Sequence, residues 1–264
     1  MAYLTVNDVR LHFERFPQPG KPVLVLSHSL FFDWRMFQPL IELLHPHFEI
    51  LAYDHRGQGL SSRSGTLDMD TLTDDAVALI DALDLAPCYF AGNSMGGFIA
   101  LRLAARSPER LAGCIVMGSS GDLEHQLPEF EPLVQQLAQD GAADQVDTLM
   151  YIMFGDHTLR SPEYTALCAH WRNQMRQLGT EIGAAAMEVI HRSSVLSELK
   201  SLRVPLLVLA GEQDHAYSQA LSKQIVEYAG HGECKVITGA GHSLALEQPV
   251  QVADAIHAFT LSAG

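Results

Sequence analysis

Apolar residues come in short runs, separated by stretches where they recur at helical spacing. Residues 22–27 (PVLVLS), 49–53 (EILAY), 88–92 (CYFAG), 111–117 (LAGCIVM), 205–210 (PLLVLA) and 233–238 (ECKVIT) each read as a strand. The first is apolar on both faces, as a buried parallel strand is. Segments 33–45, 70–84 and 95–106 read as helices, and 70–84 puts Leu72, Ala76, Leu79, Ile80 and Leu83 on one face. Strand–helix alternation of this kind predicts a parallel sheet covered on both faces. The chain opens with two further short strands, Tyr3–Val6 and Arg10–Arg15, which read as an antiparallel hairpin turning at Asn7-Asp8 on the sheet edge.

One stretch breaks the rhythm. From Gly121 to Leu199 the pattern predicts helices and no strand. An all-helical insertion between two sheet strands reads as a cap over the carboxyl edge, where open parallel sheets bind ligands. The expected division is a core of residues 1–120 and 200–264 and a helical cap of residues 121–199.

Composition narrows the classes. The 264 residues are 47% hydrophobic and 18% charged, which excludes disorder for most of the chain. Seventeen basic and 31 acidic residues give a net charge of −14, which repels nucleic acid and anionic lipid. Cys88, Cys114, Cys168 and Cys234 stand far apart with no C-x-x-C pair, so neither a disulfide scaffold nor a zinc site is expected. The first ten residues lack a signal-peptide pattern, and the longest apolar runs are strand-sized. These features fit a cytoplasmic protein with a small-molecule partner, a monomer or homodimer.

The strongest chemical signal is Gly92-Asn93-Ser94-Met95-Gly96, between a predicted strand and a predicted helix. This is the setting of a G-x-S-x-G nucleophile elbow, a sharp turn whose neighbours must lack side chains. Serine is a weak nucleophile and needs a base. Of thirteen histidines, His242 alone follows the last strand through a short turn, on the same carboxyl edge as Ser94. The base needs an orienting carboxylate. Gly211-Glu212-Gln213-Asp214 closes the preceding strand, with Asp214 the choice and Glu212 the alternative. Ser27-His28-Ser29-Leu30 ends another strand, so the N–H groups of Leu30 and Met95 are the expected oxyanion donors. His28 reads as a loop-holding residue. Asp54-His55-Arg56-Gly57-Gln58-Gly59-Leu60-Ser61, directly after a strand, reads as scaffold, its glycines allowing a tight turn; G-x-G-x-x-G is absent, so it is no dinucleotide fingerprint, and neither a P-loop nor H-E-x-x-H is present.

With these residues in order, the chain resembles the α/β-hydrolase fold superfamily in its capped form. Within it the chain is most similar to the bacterial 3-oxoadipate enol-lactonase and small-esterase group. The resemblance implies a mostly parallel eight-stranded sheet flanked by helices, with a cap of about four helices inserted after strand 6. It implies a triad of Ser94, Asp214 and His242, with Leu30 and Met95 as oxyanion donors and neither metal nor cofactor. One departure is Phe31-Phe32, where relatives often carry glycine. Two rings there would narrow the pocket and make it apolar, which speaks against a dicarboxylate lactone. Phe31, Phe32, Trp34, Met150, Phe154 and Trp171 are the expected substrate-binding side chains.

The expected activity is cleavage of a carboxylic ester or lactone through an acyl-enzyme. Ser94 argues against the aspartate-nucleophile relatives, the haloalkane dehalogenases and epoxide hydrolases. The same triad also serves carbon–carbon bond hydrolysis and cofactor-free perhydrolysis. A slow small-lactone receptor on the same scaffold is a further alternative.

Overall fold

The structure, a computed structural model, describes residues 2–263. The strands are β1 (Ala2–Val6), β2 (Val9–Phe16), β3 (Val23–Ser27), β4 (Glu49–Tyr53), β5 (Cys88–Asn93), β6 (Leu111–Met117), β7 (Leu206–Gly211) and β8 (Glu233–Ile237). Each lies within one residue of its expected ends, because short apolar runs bounded by turn residues have little latitude. They form one eight-stranded sheet in the order β1-β2-β4-β3-β5-β6-β7-β8. Pairing is parallel from β4 to β8 and antiparallel at β1–β2 and β2–β4. The edge hairpin pairs Val6 with Val9 across Asn7 and Asp8. Both turn residues have positive φ, 44° and 59°, the twist that a two-residue hairpin requires.

The helices of the first half are α1 (Gln38–Leu44), α2 (Met69–Ala82) and α3 (Met95–Arg106). The expected helix at 33–45 is thus split. Its first turn is a 3-10 turn, Trp34–Phe37, capped by Asp33, whose carboxylate accepts from the Arg35 N–H at 2.8 Å. Pro39 has no N–H to give and sits in the first turn of α1, where none is needed. Between β6 and β7 come α4 (Leu127–Asp140), α5 (Val146–Met153), α6 (Asp156–Arg160), α7 (Thr165–Arg176), α8 (Glu181–Ile190) and α9 (Leu196–Leu199). Among these α4 packs on α8, and α5 on α7. The chain closes with α10 (Gln219–Ala229), α11 (Leu244–Glu247) and α12 (Pro249–Ala263).

Alternation along β6 shows that both faces of the sheet are covered. A side chain at Gly113 would meet Phe259 of α12, whereas the Cys114 thiol donates to the Ala100 carbonyl of α3 at 3.6 Å. Successive strand residues face opposite ways, so α12 and α3 lie on opposite faces. No helix among the described residues is long and apolar enough to cross a membrane. The four cysteines are free thiols, and burial pushes Cys88 and Cys114 up to about 12.

Candidate active site

Ser94 stands between β5 and α3 at φ 52° and ψ −111°. A non-glycine residue there carries roughly 1–3 kcal/mol of strain and persists only if its surroundings over-determine it. They do. Its N–H donates to the Met117 carbonyl at 2.8 Å, and its own carbonyl accepts from Ser119 Oγ at 2.7 Å. Two residues on, the Gly96 N–H donates to the His28 carbonyl at 3.1 Å. A Cβ on Gly92 would collide with the Gly96 carbonyl, and one on Gly96 with the Ser27 carbonyl. Both obstacles are backbone, so the turn closes only with glycine at these two positions.

β5, β6, β7 and β8 are successive neighbours, so loops leaving their carboxyl ends converge on one rim. Asp214 follows β7, and its Oδ1 accepts from the Ala216 and Tyr217 N–H groups at 2.8 and 2.9 Å. His242 precedes α11, and its Nδ1 lies 3.1 and 3.0 Å from the two Asp214 oxygens. Both side chains are buried. A carboxylate only accepts, so Nδ1 carries a proton, and in the neutral ring Nε2 is the acceptor. Asn93 ties this rim to the elbow, its Nδ2 donating to the His242 carbonyl at 3.0 Å. Glu212 is exposed and accepts from the Gly239 N–H at 2.8 Å, away from the imidazole. Ser94 and His242 border one cavity, with no direct hydrogen bond between their side chains.

The loop carrying Leu30 is held by two neutral histidines. His28 Nε2 accepts from the His55 N–H at 3.0 Å, which puts its proton on Nδ1, donating to the Ser29 carbonyl at 2.8 Å. His55 Nε2 donates back to the His28 carbonyl at 3.1 Å. Burial lowers the pKa of His28 and, with the neighbouring His28, takes that of His55 well below the usual value. Neither the Leu30 nor the Met95 N–H donates to a protein acceptor among the described residues. In the neighbouring loop Asp54 accepts from the N–H groups of Trp34 and Leu60 at 2.8 and 2.9 Å. Arg56 grips Asp75 through two bonds of 2.6 and 2.7 Å.

The cavity beside Ser94 measures about 60 Å³. Phe31, at φ 72°, borders it beside Leu30. Its apolar wall comes from Phe130, Leu133 and Val134 of α4, Ile152 and Met153 of α5, and Ala186, Val189 and Ile190 of α8. Phe32, Trp34 and Trp171 border a separate cleft of about 340 Å³ on the far side of Phe31, with the Phe32 and Trp171 rings 4.7 Å apart. Met150 and Phe154 are fully buried and border neither space. Sequence reasoning missed the α4 and α8 walls, although Phe130-Leu133-Val134 and Ala186-Val189-Ile190 repeat the i, i+3, i+4 spacing of a helix face. It also missed Glu124, Ala216 and Tyr217, which complete the wall.

One carboxylate links the helical segment to the histidine loop. Glu247 Oε2 accepts from the Gly155 N–H at 2.8 Å and Thr158 Oγ1 at 2.7 Å, and its Oε1 from the Ser243 N–H at 3.0 Å. Burial raises its pKa, and these donors oppose the shift.

A sheet of this order, a serine on a strained strand-to-helix turn and an Asp–His pair on the same rim define a hydrolase-type scaffold. The chain belongs to the alpha/beta hydrolase fold family, whose sequence profile matches residues 22–249. It is 29% identical to 3-oxoadipate enol-lactonase 2 of Acinetobacter baylyi over 97% of this chain and 94% of that one. It is 31% identical to the pimeloyl-[acyl-carrier protein] methyl ester esterase of Xanthomonas campestris pv. campestris, over 90% of this chain and 94% of that one. Among solved structures, the enol-lactonase from Burkholderia xenovorans superposes with a TM-score of 0.90 at 26% identity, covering 98% of this chain and 100% of that one.

Proposed function

We propose that the protein hydrolyses the ester or lactone bond of a small, largely apolar substrate through an acyl-enzyme. Ser94 attacks the carbonyl carbon while His242 Nε2 takes its proton. Asp214 holds the imidazole in the productive tautomer and stabilises its charge. The Leu30 and Met95 N–H groups meet the developing oxyanion, each donor worth on the order of 3 kcal/mol in the transition state. His242 returns the proton to the leaving oxygen, then draws one from a water that releases the acid. The side-chain contact between Ser94 and His242 forms in the substrate complex, since such bonds are often long without substrate. The segment 121–199 acts as the cap, supplying the apolar wall over the carboxyl edge.

The observation that carries this reading is the His242–Asp214 pair, at 3.0 Å, with the imidazole bordering the same cavity as Ser94. The lactonase and methyl ester esterase relatives support the choice of bond. The test is turnover of short p-nitrophenyl esters by the wild type and by Ser94→Ala. Multiple turnover that Ser94→Ala abolishes, in a protein of unchanged circular dichroism, is the expected result. Persisting turnover in the variant removes Ser94 from the mechanism. One equivalent of released nitrophenol followed by arrest points instead to a receptor.

A further inference from the structure

The wall beside Ser94 is apolar apart from one ionised group. Glu124 borders the cavity and is buried. Its oxygens are satisfied from the protein side. Oε2 accepts from Arg192 Nη1 at 2.9 Å and from the Tyr217 hydroxyl at 2.7 Å. Oε1 accepts from the Gln126 N–H at 3.0 Å and lies 3.2 Å from His125 Nδ1. Arg192 does not border the cavity. Its guanidinium carbon lies 4.1 Å from the Phe98 ring centroid and 5.3 Å from that of Tyr217, and Nη1 also donates to the Val189 carbonyl at 2.9 Å. The ion pair is therefore oriented, with its negative end on the cavity wall and its positive end locked behind aromatic rings. Burial alone would raise the Glu124 pKa, but the Arg192 charge and these bonds hold it below the ordinary value.

We infer that Glu124 makes the site selective for uncharged acyl groups and excludes acyl chains that end in a carboxylate. This rests on the hydrolase reading above. An anionic chain would shed its water into an apolar space. There it would face a fixed carboxylate at short range and low dielectric, where like charges repel strongly. No lysine or arginine borders the cavity to compensate. An uncharged chain of the same length meets the α4 and α8 walls without either cost.

The test compares p-nitrophenyl hexanoate with mono-p-nitrophenyl adipate, equal in chain length and differing in one terminal carboxylate. The wild type is expected to prefer the hexanoate by about tenfold or more in kcat/KM. Glu124→Gln is expected to shrink that ratio at least several-fold, since it removes the negative charge from the wall and leaves the Arg192 charge behind it uncompensated. If this variant does not fold, Glu124→Gln/Arg192→Gln removes both charges and carries the test. A merely structural role for Glu124 would slow both esters together and leave the ratio where it was. A wild type that takes both esters equally, or prefers the adipate, overturns the inference, as does an unchanged ratio in a folded variant. A wild type that cleaves neither ester refutes the hydrolase reading, and the selectivity with it.

Discussion

Replacing Asp214 by asparagine tests the proposed roles most sharply, because the structure fixes how the new amide must lie. Asp214 Oδ1 accepts from two backbone N–H groups, Ala216 at 2.8 Å and Tyr217 at 2.9 Å. In Asp214→Asn these donors demand an acceptor, so the amide oxygen takes the Oδ1 position. The amide nitrogen then takes the Oδ2 position, 3.0 Å from His242 Nδ1. The amide oxygen, 3.1 Å from Nδ1, already accepts from two backbone N–H groups, which leaves the amide nitrogen as the ring's partner; two donors cannot face each other, so Nδ1 becomes the acceptor and the imidazole proton moves to Nε2. The base is then blocked on the side that must accept from Ser94. The same tautomer error in serine proteases lowers kcat by about 10⁴-fold, equivalent to about 5.4 kcal/mol of transition-state stabilisation. The fold should survive, since side-chain volume and both backbone bonds are retained. The assay is kcat on a short p-nitrophenyl ester at neutral pH, beside thermal unfolding and the 15N shifts of the His242 ring. A folded Asp214→Asn protein within tenfold of wild-type kcat, or one still protonated on Nδ1, would refute the reasoning.

Three further outcomes follow from the same geometry. Gly96→Ala drives a methyl into the Ser27 backbone carbonyl, an obstacle that cannot rotate away; a loss of more than about 2 kcal/mol in urea unfolding is expected, or a distorted, inactive elbow. Glu247→Ala strands the Gly155, Thr158 and Ser243 donors in a buried site, at about 1–3 kcal/mol for each unsatisfied group, so a change below 1 kcal/mol in chemical denaturation would contradict the anchoring role. His28 and His55 have folded pKa values below the ordinary 6.5, so the unfolded chain takes up protons that the folded one refuses. Their contribution is therefore fully present above pH 6.5 and declines as pH falls below it. The limiting slope is about 1.4 kcal/mol per pH unit for each group. Urea midpoints measured from pH 7.5 to 5.5 should fall, and His55→Gln should flatten the decline; equal stability across that range would contradict it.

Much of the scaffold is written locally. A strand of this sheet needs only a short apolar run and its bounding turns, so residues 49–53 and 111–117 are legible without any partner. The elbow motif is legible for a similar reason, because Gly92 closes on Gly96 within five consecutive positions, whereas the Ser27 carbonyl that requires glycine at Gly96 comes from another strand. The hairpin at Asn7-Asp8 and the cap at Asp33 are also short-range. The choice between Glu212 and Asp214 is different. They lie two residues apart at the end of one strand, and either sequence position is compatible with a rim carboxylate. The fold separates them by turning Glu212 toward the Gly239 N–H and Asp214 toward His242.

What lines the cavity required the fold. Helix α5 is apolar on several sides, so sequence cannot say which side faces a ligand; Met153 borders the cavity while Met150, one turn earlier, is buried away from it. The aromatics beside Leu30 divide likewise, Phe31 bordering both the Ser94 cavity and the outer cleft, and Phe32 the cleft but not the cavity. The charged wall is a long-range product. Glu124 meets Arg192 across 68 positions and Tyr217 across 93. Backbone periodicity and steric exclusion act between neighbours and are carried by the sequence itself. The facing of a helix, and the meeting of a buried charge with its partner, depend on how distant segments pack, and only the tertiary structure decides them.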